Sequence, residues 1–372
     1  MYVFVLLLLS GCTSKQTKKA TTETDDSNIV VKTKYATGFA ITHTNHYTRV
    51  DILNPWLPGE NYATYYLYKK DDSGIPNNGI KLKIPLQSLV VNTFAYFEFL
   101  HRLGELDKIT GTSDGFRVYN PAILEGLKNN TIADLGDPFQ MNLEKTLALK
   151  PEAILTSAYA QRDTYSERVS EAGFPVIYNL EWMENSPLAR AEWIKLIAAF
   201  FDKESLADSL FTEIESRYRA AEDLVKNIPQ KHTVMAGDNF QGTWYVPGGN
   251  SFNALLFRDA QLDYFYSGNK EGGSLGLDIE TVLTQFGKAE YWFGCTAKSH
   301  EELAAKDPKY LLLKSVKDKH VFNNDNRTTA SGGNDYFESA VANPDLLLKD
   351  LIKAAYPKRL PEYEYTYIKP LQ

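Results

Sequence analysis

The stretch MNLEKTLALKPEAIL, Met141 to Leu155, decides the predicted fold because a related stretch recurs much later in the chain. When Glu144 is aligned with Glu280, a leucine coincides three residues on and an alanine nine residues on, and a short apolar run follows each alanine. Each copy begins with a polar residue, Asn142 or Asp278, that can cap the first turn of a helix. A helix that leads into an apolar strand is half of an α/β unit. The repeat therefore predicts two related lobes.

Outward from this stretch, predicted strands alternate with predicted helices on both sides, which indicates parallel sheets. The predicted fold class is α/β, with two Rossmann-like lobes, parallel central sheets, one long connecting helix and a ligand cleft between the lobes. The connector follows from apolar residues at helical spacing, interrupted only near Asp202-Lys203. The predicted organisation is a leader over residues 1–12, a disordered tether over 13–34, an N-terminal α/β lobe with an opening β hairpin over 35–187, the connecting helix over 188–228 and a C-terminal α/β lobe over 229–372.

Length and composition restrict the functional class. A chain of 372 residues is longer than one core usually needs, so two lobes are expected. The net charge of −7 argues against nucleic-acid binding, which normally needs a basic face. The 23 tyrosines, 19 phenylalanines and 5 tryptophans are suited to the walls of a ligand cleft, although packing accounts for most of them.

The N-terminus carries a processing signal. Residues 2–9 form an apolar run too short to span a bilayer, and Leu9-Ser10-Gly11-Cys12 follows it directly. This resembles a bacterial lipobox, in which the leader is cleaved before a cysteine that becomes lipidated. No Lys or Arg precedes the apolar run, in contrast to the usual leader. The resemblance implies a chain anchored to a membrane through Cys12, and Cys295 alone leaves no disulfide framework.

The order of motifs from Lys81 to Pro357 carries a wider resemblance. KLKIPLQSLVVNT, LGELDKITGTSD, MNLEKTLALKPEAIL, a long helical connector, LDIETVL and PDLLLKDLIKAAYP follow one another. This order resembles the substrate-binding lipoproteins of ABC importers, in the group that binds ferric siderophores, haem or cobalamin and whose lobes are joined by one rigid helix. The resemblance implies a monomeric receptor on the extracytoplasmic side of a membrane, no catalysis, no cofactor, and a transported metal chelate as ligand. A rigid connector implies small closure on binding.

The resemblance also assigns a partner and two docking residues. In that family a glutamate at the top of each lobe contacts arginines of the permease dimer, and Glu144 and Glu280 match these positions. A carboxylate on the first helical turn is exposed, and arginine can bind it through two hydrogen bonds. The simpler interpretation is that both glutamates complement helix dipoles, which is worth about 0.3 to 1 kcal/mol each.

The ligand is expected at the carboxyl ends of the strands, where α/β sheets place their binding loops. Aromatic rings and two guanidinium groups in those loops suit a large, partly apolar and anionic chelate. Each of these side chains, considered alone, could instead pack on the core beneath its loop. The candidate ligand-binding residues are Phe94, Arg117, Tyr119, Tyr159, Trp182, Trp244, Tyr245 and Arg327.

Three alternatives remain open from the sequence. Gly272 to Gly276 fits the G-x-S-x-G pattern of serine hydrolases, but the polar SGNKEG before it is not a strand. A receptor for Zn or Mn ions would need histidine ligands, and only His43 and His46 are close in sequence, in the opening β region. No paired cysteine spacing of a zinc site is present in the sequence. A structural or adhesive lipoprotein without a functional cleft is the third alternative.

Overall fold

The computed structural model describes residues 28–71 and 73–372, which form two α/β lobes preceded by an additional sheet. The predicted leader with Cys12 and the tether up to residue 27 lie outside the described residues. The end of the predicted tether has to be corrected, because Ile29–Val31 is a strand that pairs antiparallel with residues 41–43. Hydrogen bonds to a neighbouring strand satisfy this backbone despite the polar sequence before it.

The opening region is a five-stranded sheet, larger than the predicted hairpin or meander. Its strands are β1 Ile29–Val31, β2 Phe39–His43, β3 Thr48–Leu53, β4 Asn61–Tyr68 and β5 Ile80–Lys83. They lie in chain order, antiparallel except for the parallel pair β4 and β5. Alternation of buried and half-buried residues along β2 and β3 shows that one face of the sheet packs on the rest of the molecule.

The N-terminal lobe contains a second, fully parallel sheet. Its strands are β6 Leu89–Val91, β7 Ile109–Thr112, β8 Ala133–Asp134, β9 Ala153–Ser157 and β10 Val176–Asn179, in the spatial order β10-β9-β6-β7-β8. Its helices are α1 Ala95–Leu103, α2 Pro121–Lys128, α3 Leu143–Leu149 and α4 Thr164–Glu171. β6, β9 and β10 are short apolar runs, almost completely buried, as expected for a parallel sheet covered on both faces.

The opening sheet covers the edge of the parallel sheet. β10 is an edge strand, and the hydroxyl of Tyr65 in β4 meets its free backbone groups. This hydroxyl donates to the carbonyl of Val176 at 2.9 Å and accepts from the amide of Tyr178 at 2.9 Å. Burial raises the pKa of Tyr65 well above its usual range, so the hydroxyl stays protonated as donor. A single side chain therefore caps an edge that would otherwise be open to pairing.

Three helices connect the lobes: α5 Pro187–Glu192, α6 Ile194–Ala199 and α7 Glu204–Asp223. The predicted connecting helix is thus divided, and the 20-residue α7 is its longest part. The expected interruption near Asp202 is present, because this residue has a φ of 57°, in the left-handed region that ends helices. A second interruption lies at Trp193, which is fully buried and packs edge-on against Phe39 of the opening sheet at 5.2 Å between ring centres.

Two buried carboxylates fasten the opening sheet to this connector. Glu192 is fully buried and accepts hydrogen bonds from the consecutive backbone amides of Lys34, Tyr35 and Ala36 at 2.7 to 3.0 Å. Lys195 balances its charge at 3.2 Å. Glu184 accepts hydrogen bonds from the next two backbone amides, those of Thr37 and Gly38. A charged acceptor with several amide donors makes strong hydrogen bonds, so this junction is rigid.

The C-terminal lobe repeats the parallel architecture and adds a small antiparallel sheet. Its strands are β11 His232–Ala236, β12 Asp238–Phe240, β13 Thr243–Pro247, β14 Leu262–Tyr264, β15 Ser274–Leu277, β16 Tyr291–Phe293, β17 Val321–Asn323 and β18 Lys369–Pro370. The main sheet has the order β14-β11-β16-β17-β18, parallel except for β18, and the small sheet has the order β12-β13-β15. The helices are α8 Phe252–Asp259, α9 Ile279–Phe286, α10 His300–Lys306, α11 Lys314–Lys317, α12 Asp335–Glu338 and α13 Pro344–Ala355.

The sequence repeat corresponds to a repeated structural unit. Asn142 caps α3 by accepting from the Lys145 amide at 2.9 Å, and Asp278 caps α9 by accepting from the Thr281 amide at 2.6 Å. α3 leads into β9 and α9 leads into β16, each strand lying inside its sheet. Two lobes built from the same unit are therefore confirmed. Within the described chain, no helix combines the length and hydropathy needed to cross a membrane.

Candidate functional site

A cleft lies between the two lobes. Its main cavity has a volume of about 820 Å³ and is bounded by the turn and helix after β10 on one side and by the C-terminal lobe on the other. A second cavity of about 270 Å³ adjoins it and is bounded mainly by the N-terminal lobe. Both cavities are lined by Trp182, Arg190 and Phe337. The two cavities therefore form one continuous cleft. This volume is in the range of small-molecule binding sites.

The parallel strands of the N-terminal lobe deliver aromatic side chains to this cleft. Phe94 follows β6, Phe139 follows β8, Tyr159 follows β9 and Trp182 follows β10. Because parallel strands end at the same edge of a sheet, side chains distant in sequence become neighbours there. Tyr159 lies 6.3 Å from Phe139 and 6.0 Å from Trp182 between ring centres. The predicted position of the site at the carboxyl ends of the strands agrees with this arrangement.

Four of the predicted ligand-binding residues line the cleft. Phe94, Tyr159 and Trp182 border the smaller cavity, and Trp182 and Tyr245 border the larger one. Tyr159, Trp182 and Tyr245 each expose between 38% and 45% of their surface, so their ring faces are open to a ligand. The C-terminal lobe adds Phe252, Tyr336 and Phe337 to the aromatic walls.

Trp244 has to be corrected, because it is a core residue. Its side chain is fully buried, packs 5.0 Å from Trp292 between ring centres, and donates its indole N–H to the carbonyl of Ala236 at 3.1 Å. Side chains alternate between the two faces of a strand, and in β13 Trp244 faces inward while Tyr245 faces the cavity. Only one of two adjacent aromatic residues could reach the cleft.

Both predicted arginines are already paired with carboxylates. Arg117 lies 3.3 Å from Asp114 and 6.0 Å from the centre of the Phe94 ring. Arg327 lies 3.0 Å from Asp335 and donates to the hydroxyl of Tyr119 at 3.3 Å. Tyr119 and Arg327 come from different lobes, so this contact belongs to the junction between them. Each guanidinium charge is therefore locally compensated, which reduces its attraction for an anionic ligand.

Arg190 is a positively charged residue of the cleft whose position there was not predicted from the sequence. It is in α5, borders both cavities, and donates to Glu181 at 3.0 Å. Its guanidinium stacks on Phe252 with 4.2 Å to the ring centre, which joins the two lobes across the cleft. The residue falls inside the helical connector, where a charged side chain is normally interpreted as solvent-facing. Nothing in the local sequence indicates otherwise.

Glu338 closes the junction beside the cleft, one residue after Phe337. Its carboxylate accepts hydrogen bonds from the backbone amides of Tyr119 and of Asn120, the latter at 2.9 Å. Burial raises the pKa of Glu338 to about 7, because the charged form loses its hydration in this position. The contact between the lobes therefore includes a carboxyl group that titrates near neutrality.

The hydrolase pattern lacks its structural context. Ser274 is the first residue of the antiparallel strand β15, whereas a nucleophilic serine of this type follows a strand and precedes a helix. Gly272, Gly273 and Ser274 do line the larger cavity.

The two neighbouring histidines lie in the opening sheet. His43 is bonded through one ring nitrogen to the hydroxyl of Thr48 at 2.9 Å and lies 3.2 Å from Glu204 through the other. His46 is exposed in the turn after β2. Over residues 28–71 and 73–372, no group of three or more His, Cys, Asp or Glu side chains is arranged to hold a metal ion.

Glu144 and Glu280 occupy equivalent positions, the second residue of α3 and of α9. Both are exposed. Lys309 binds Glu280 at 2.9 Å, and this hydrogen bond lowers the pKa of Glu280. Both side chains therefore lie at the surface, and that of Glu280 already has Lys309 as a partner.

Comparison with known proteins agrees with this architecture. The family model described as periplasmic binding protein matches residues 89–328, well over half of the chain. An uncharacterised lipoprotein of Methanocaldococcus jannaschii is 24% identical over 389 residues, covering 96% of this chain and 91% of the relative.

Solved structures show the same fold. A possible iron-binding (periplasmic solute-binding) protein from Staphylococcus epidermidis has a TM-score of 0.57 at 18% identity, over 73% of this chain and all of that one. A periplasmic haem-binding protein from Pseudomonas aeruginosa has a TM-score of 0.56 at 16% identity, over 77% and 95%. With a shared fold, a cleft at the expected strand ends and a family match through both lobes, the chain belongs to the periplasmic binding protein family.

Proposed function

We propose that this protein captures a metal chelate between its lobes and delivers it to an ABC permease, without catalysing a reaction. The observation that carries this proposal is the cleft of about 820 and 270 Å³ with walls of aromatic rings from both lobes. A cleft of this size suits a ligand as large as a siderophore complex, a haem or a corrinoid. The iron-binding and haem-binding descriptions of its structural relatives support the same class of ligand.

The charges in and beside the cleft favour chelates of low net charge. Arg190 lines the cleft, whereas Arg117 and Arg327 lie outside the lining of both cavities. Arg190, Arg117 and Arg327 each have a carboxylate partner within 3.3 Å. A strongly anionic chelate would have to compete with these partners for the guanidinium groups, while a neutral chelate would leave them in place. Aromatic walls bind a neutral, partly apolar ligand without such competition.

The test is a titration of a soluble form that lacks residues 1–12, followed by tryptophan fluorescence. Trp182 lies in the cleft wall, so a bound chelate should quench its emission. The panel contains haem, cobalamin, cobinamide, a neutral ferric trihydroxamate and an anionic ferric catecholate. We expect saturable binding of at least one chelate, with the neutral trihydroxamate at least about tenfold tighter than the catecholate. Absence of binding by every chelate at high micromolar concentration would contradict the proposed function.

A receptor for bare Zn or Mn ions is the second candidate. It rests on the pair His43 and His46, but His43 is already bonded to Thr48 and Glu204 in the opening sheet. In the same titration, free Zn²⁺ or Mn²⁺ should leave the fluorescence unchanged. Micromolar binding of a bare ion would favour this candidate over the chelate receptor.

We further propose a lipid anchor at Cys12 and a location on the extracytoplasmic face of a membrane. The lipoprotein name of the Methanocaldococcus jannaschii relative supports the anchor. Membrane fractions of cells that produce wild-type protein or Cys12→Ser test it. The variant should appear in the soluble fraction, and its full retention in the membrane would overturn the anchor.

A further inference from the structure

Four aromatic side chains form a continuous row beside the smaller cavity. In order they are Trp56, Trp182, Tyr159 and Phe139, with ring centres 6.3, 6.0 and 6.3 Å apart. The angles between successive rings are 48°, 39° and 43°. We call this set the aromatic row. Its two central members line the smaller cavity, and each outer member packs against one of them.

One end of the aromatic row comes from the opening sheet. Trp56 lies in the loop between β3 and β4, before residue 89, where the family match begins. The other three members follow strands of the N-terminal lobe. The opening sheet therefore adds one ring, Trp56, to a row whose other members come from the rest of the lobe.

Several contacts from the opening sheet hold the aromatic row in place. The hydroxyl of Tyr62 in β4 donates to the backbone carbonyl of Tyr159 at 3.0 Å. The Tyr62 ring lies 5.9 Å from Trp56 and 5.0 Å from Tyr178 between centres. Glu184, two residues after Trp182, binds the amides of Thr37 and Gly38. The rings are thus fixed before a ligand arrives, which reduces the entropy lost on binding.

Three of the four rings of the aromatic row are accessible, whereas Trp56 is partly buried. Phe139 exposes 65% of its surface, Tyr159 42% and Trp182 38%. Rings that only packed in the core would be buried, as are Trp244 and Trp193, which have no exposed surface. A row of fixed, exposed rings next to a cavity is suited to a flat apolar partner, since aromatic pairs gain energy beyond their buried area.

We propose that the aromatic row is a subsite that takes a flat apolar or aromatic group of the ligand, projecting from the smaller cavity along the N-terminal lobe. This subsite rests on the proposed function, because it extends the cleft of the chelate receptor. It gives the opening sheet a role in ligand selection. Trp56 and Phe139 are its specificity-determining residues, at the two ends.

The experiment measures dissociation constants of metal-free protoporphyrin IX and of the chelate panel for the soluble form. The variants are Trp56→Ala, Phe139→Ala and Trp56→Phe, with Phe265→Ala as matched control. Phe265 is 58% exposed in the C-terminal lobe and packs against Phe286, at a distance from the aromatic row in the chain and the fold. Far-UV circular dichroism and the urea midpoint verify that each variant folds.

We expect each alanine variant in the aromatic row to weaken protoporphyrin IX binding about tenfold, equivalent to the loss of one aromatic contact. Trp56→Phe keeps a ring and should stay within about threefold of wild type, and Phe265→Ala should bind as wild type does. Because Phe139 is largely exposed, its replacement tests the subsite even if Trp56→Ala fails to fold.

The outcomes separate the subsite from the proposed function. If wild type binds chelates or protoporphyrin IX and both alanine variants bind them equally well, the subsite is wrong and the receptor function stands. If protoporphyrin IX binds through the aromatic row and no metal chelate binds, the chelate function is wrong and the subsite stands. If wild type binds neither, both are wrong.

Discussion

At the scale of single residues, neighbouring side chains of the same type have opposite roles in this protein. Trp244 and Tyr245 are adjacent in β13, yet one is fully buried and the other lines the cleft. Composition and loop position predict the same role in ligand binding for both residues. Their roles differ because the two side chains lie on opposite faces of β13. The face that is buried depends on how the small sheet packs against β11 and β16, which local sequence does not report.

The titration of Glu338 provides a prediction at this scale. Its pKa is about 7 in the folded chain, against an ordinary value of 4.5. Between these two pH values the folded state holds more protons than the unfolded state, so the free energy of unfolding should fall as pH rises from 4.5 to 7 and level off above. The expected contribution is on the order of 3 kcal/mol.

Urea unfolding at pH 5 and pH 8 measures this contribution in wild type and in Glu338→Gln. The variant removes the titrating group, so it should lose less stability than wild type over this interval. Glu125→Gln, on the exposed face of α2, is the control and should keep the wild-type pH dependence. An identical pH dependence in wild type and Glu338→Gln would contradict the raised pKa.

At the scale of secondary-structure elements, local signals account for most of the fold. The caps Asn142 and Asp278 and the apolar runs after them predict α3, β9, α9 and β16, and all four are present. Short elements could not be predicted from these local signals. β8 has only two residues, so neither it nor Phe139 in the loop after it could be recognised by periodicity.

Contacts between distant elements could not be predicted. Glu192 looks like an ordinary polar residue of the helical connector, and Glu184 like one of the turn before it, but they bind backbone amides 157 and 146 residues earlier in the chain. Arg190 lines the cleft, and Trp56 contacts the cleft residue Trp182, for the same reason, because elements far apart in sequence pack together. A single sequence shows which residues can make such contacts and not where their partners lie.

The attachment of the opening sheet gives the second prediction. In Glu192→Ala, three backbone amides lose their acceptor and Lys195 loses one of its two carboxylate partners, so we expect a loss of about 3 kcal/mol in the free energy of unfolding. Urea unfolding of the soluble form measures it. Glu213→Ala, which removes an exposed ion pair to Arg217 on α7, should change stability by less than about 1 kcal/mol. Equal losses in the two variants would show that Glu192 is not a structural anchor.

At the scale of the whole molecule, two equivalent lobes present two equivalent surface carboxylates. Glu144 and Glu280 have the same place in the same structural unit, one on each lobe. A glutamate can stabilise a helix dipole without an equivalent glutamate on the other lobe. Contact with both halves of a dimeric permease would require one such residue on each lobe. The proposed docking role therefore depends on the architecture as a whole.

Combined replacement by Glu144→Arg and Glu280→Arg tests this role. We expect uptake of the bound chelate to fall at least about tenfold, because two carboxylates become two cations facing arginines of the permease. The dissociation constant of the chelate should stay unchanged, since both residues lie away from the cleft. The control pair Glu171→Arg with Glu213→Arg makes the same change in net charge at other exposed positions and should preserve uptake. Normal transport by the first double variant would exclude docking through these residues.

The bond between Glu192 and the amides of Lys34 to Ala36 also determines the order in which the protein can assemble. These groups are separated by 156 to 158 residues, and the capping of β10 by Tyr65 spans 111 to 113 residues. The opening sheet is therefore synthesised long before the groups that fix it exist. Until the connector has emerged, its strands present unpaired edges, and such long-range contacts slow folding and favour aggregation. The sheet that contributes Trp56 to the aromatic row is thus made early and is among the last parts to be secured.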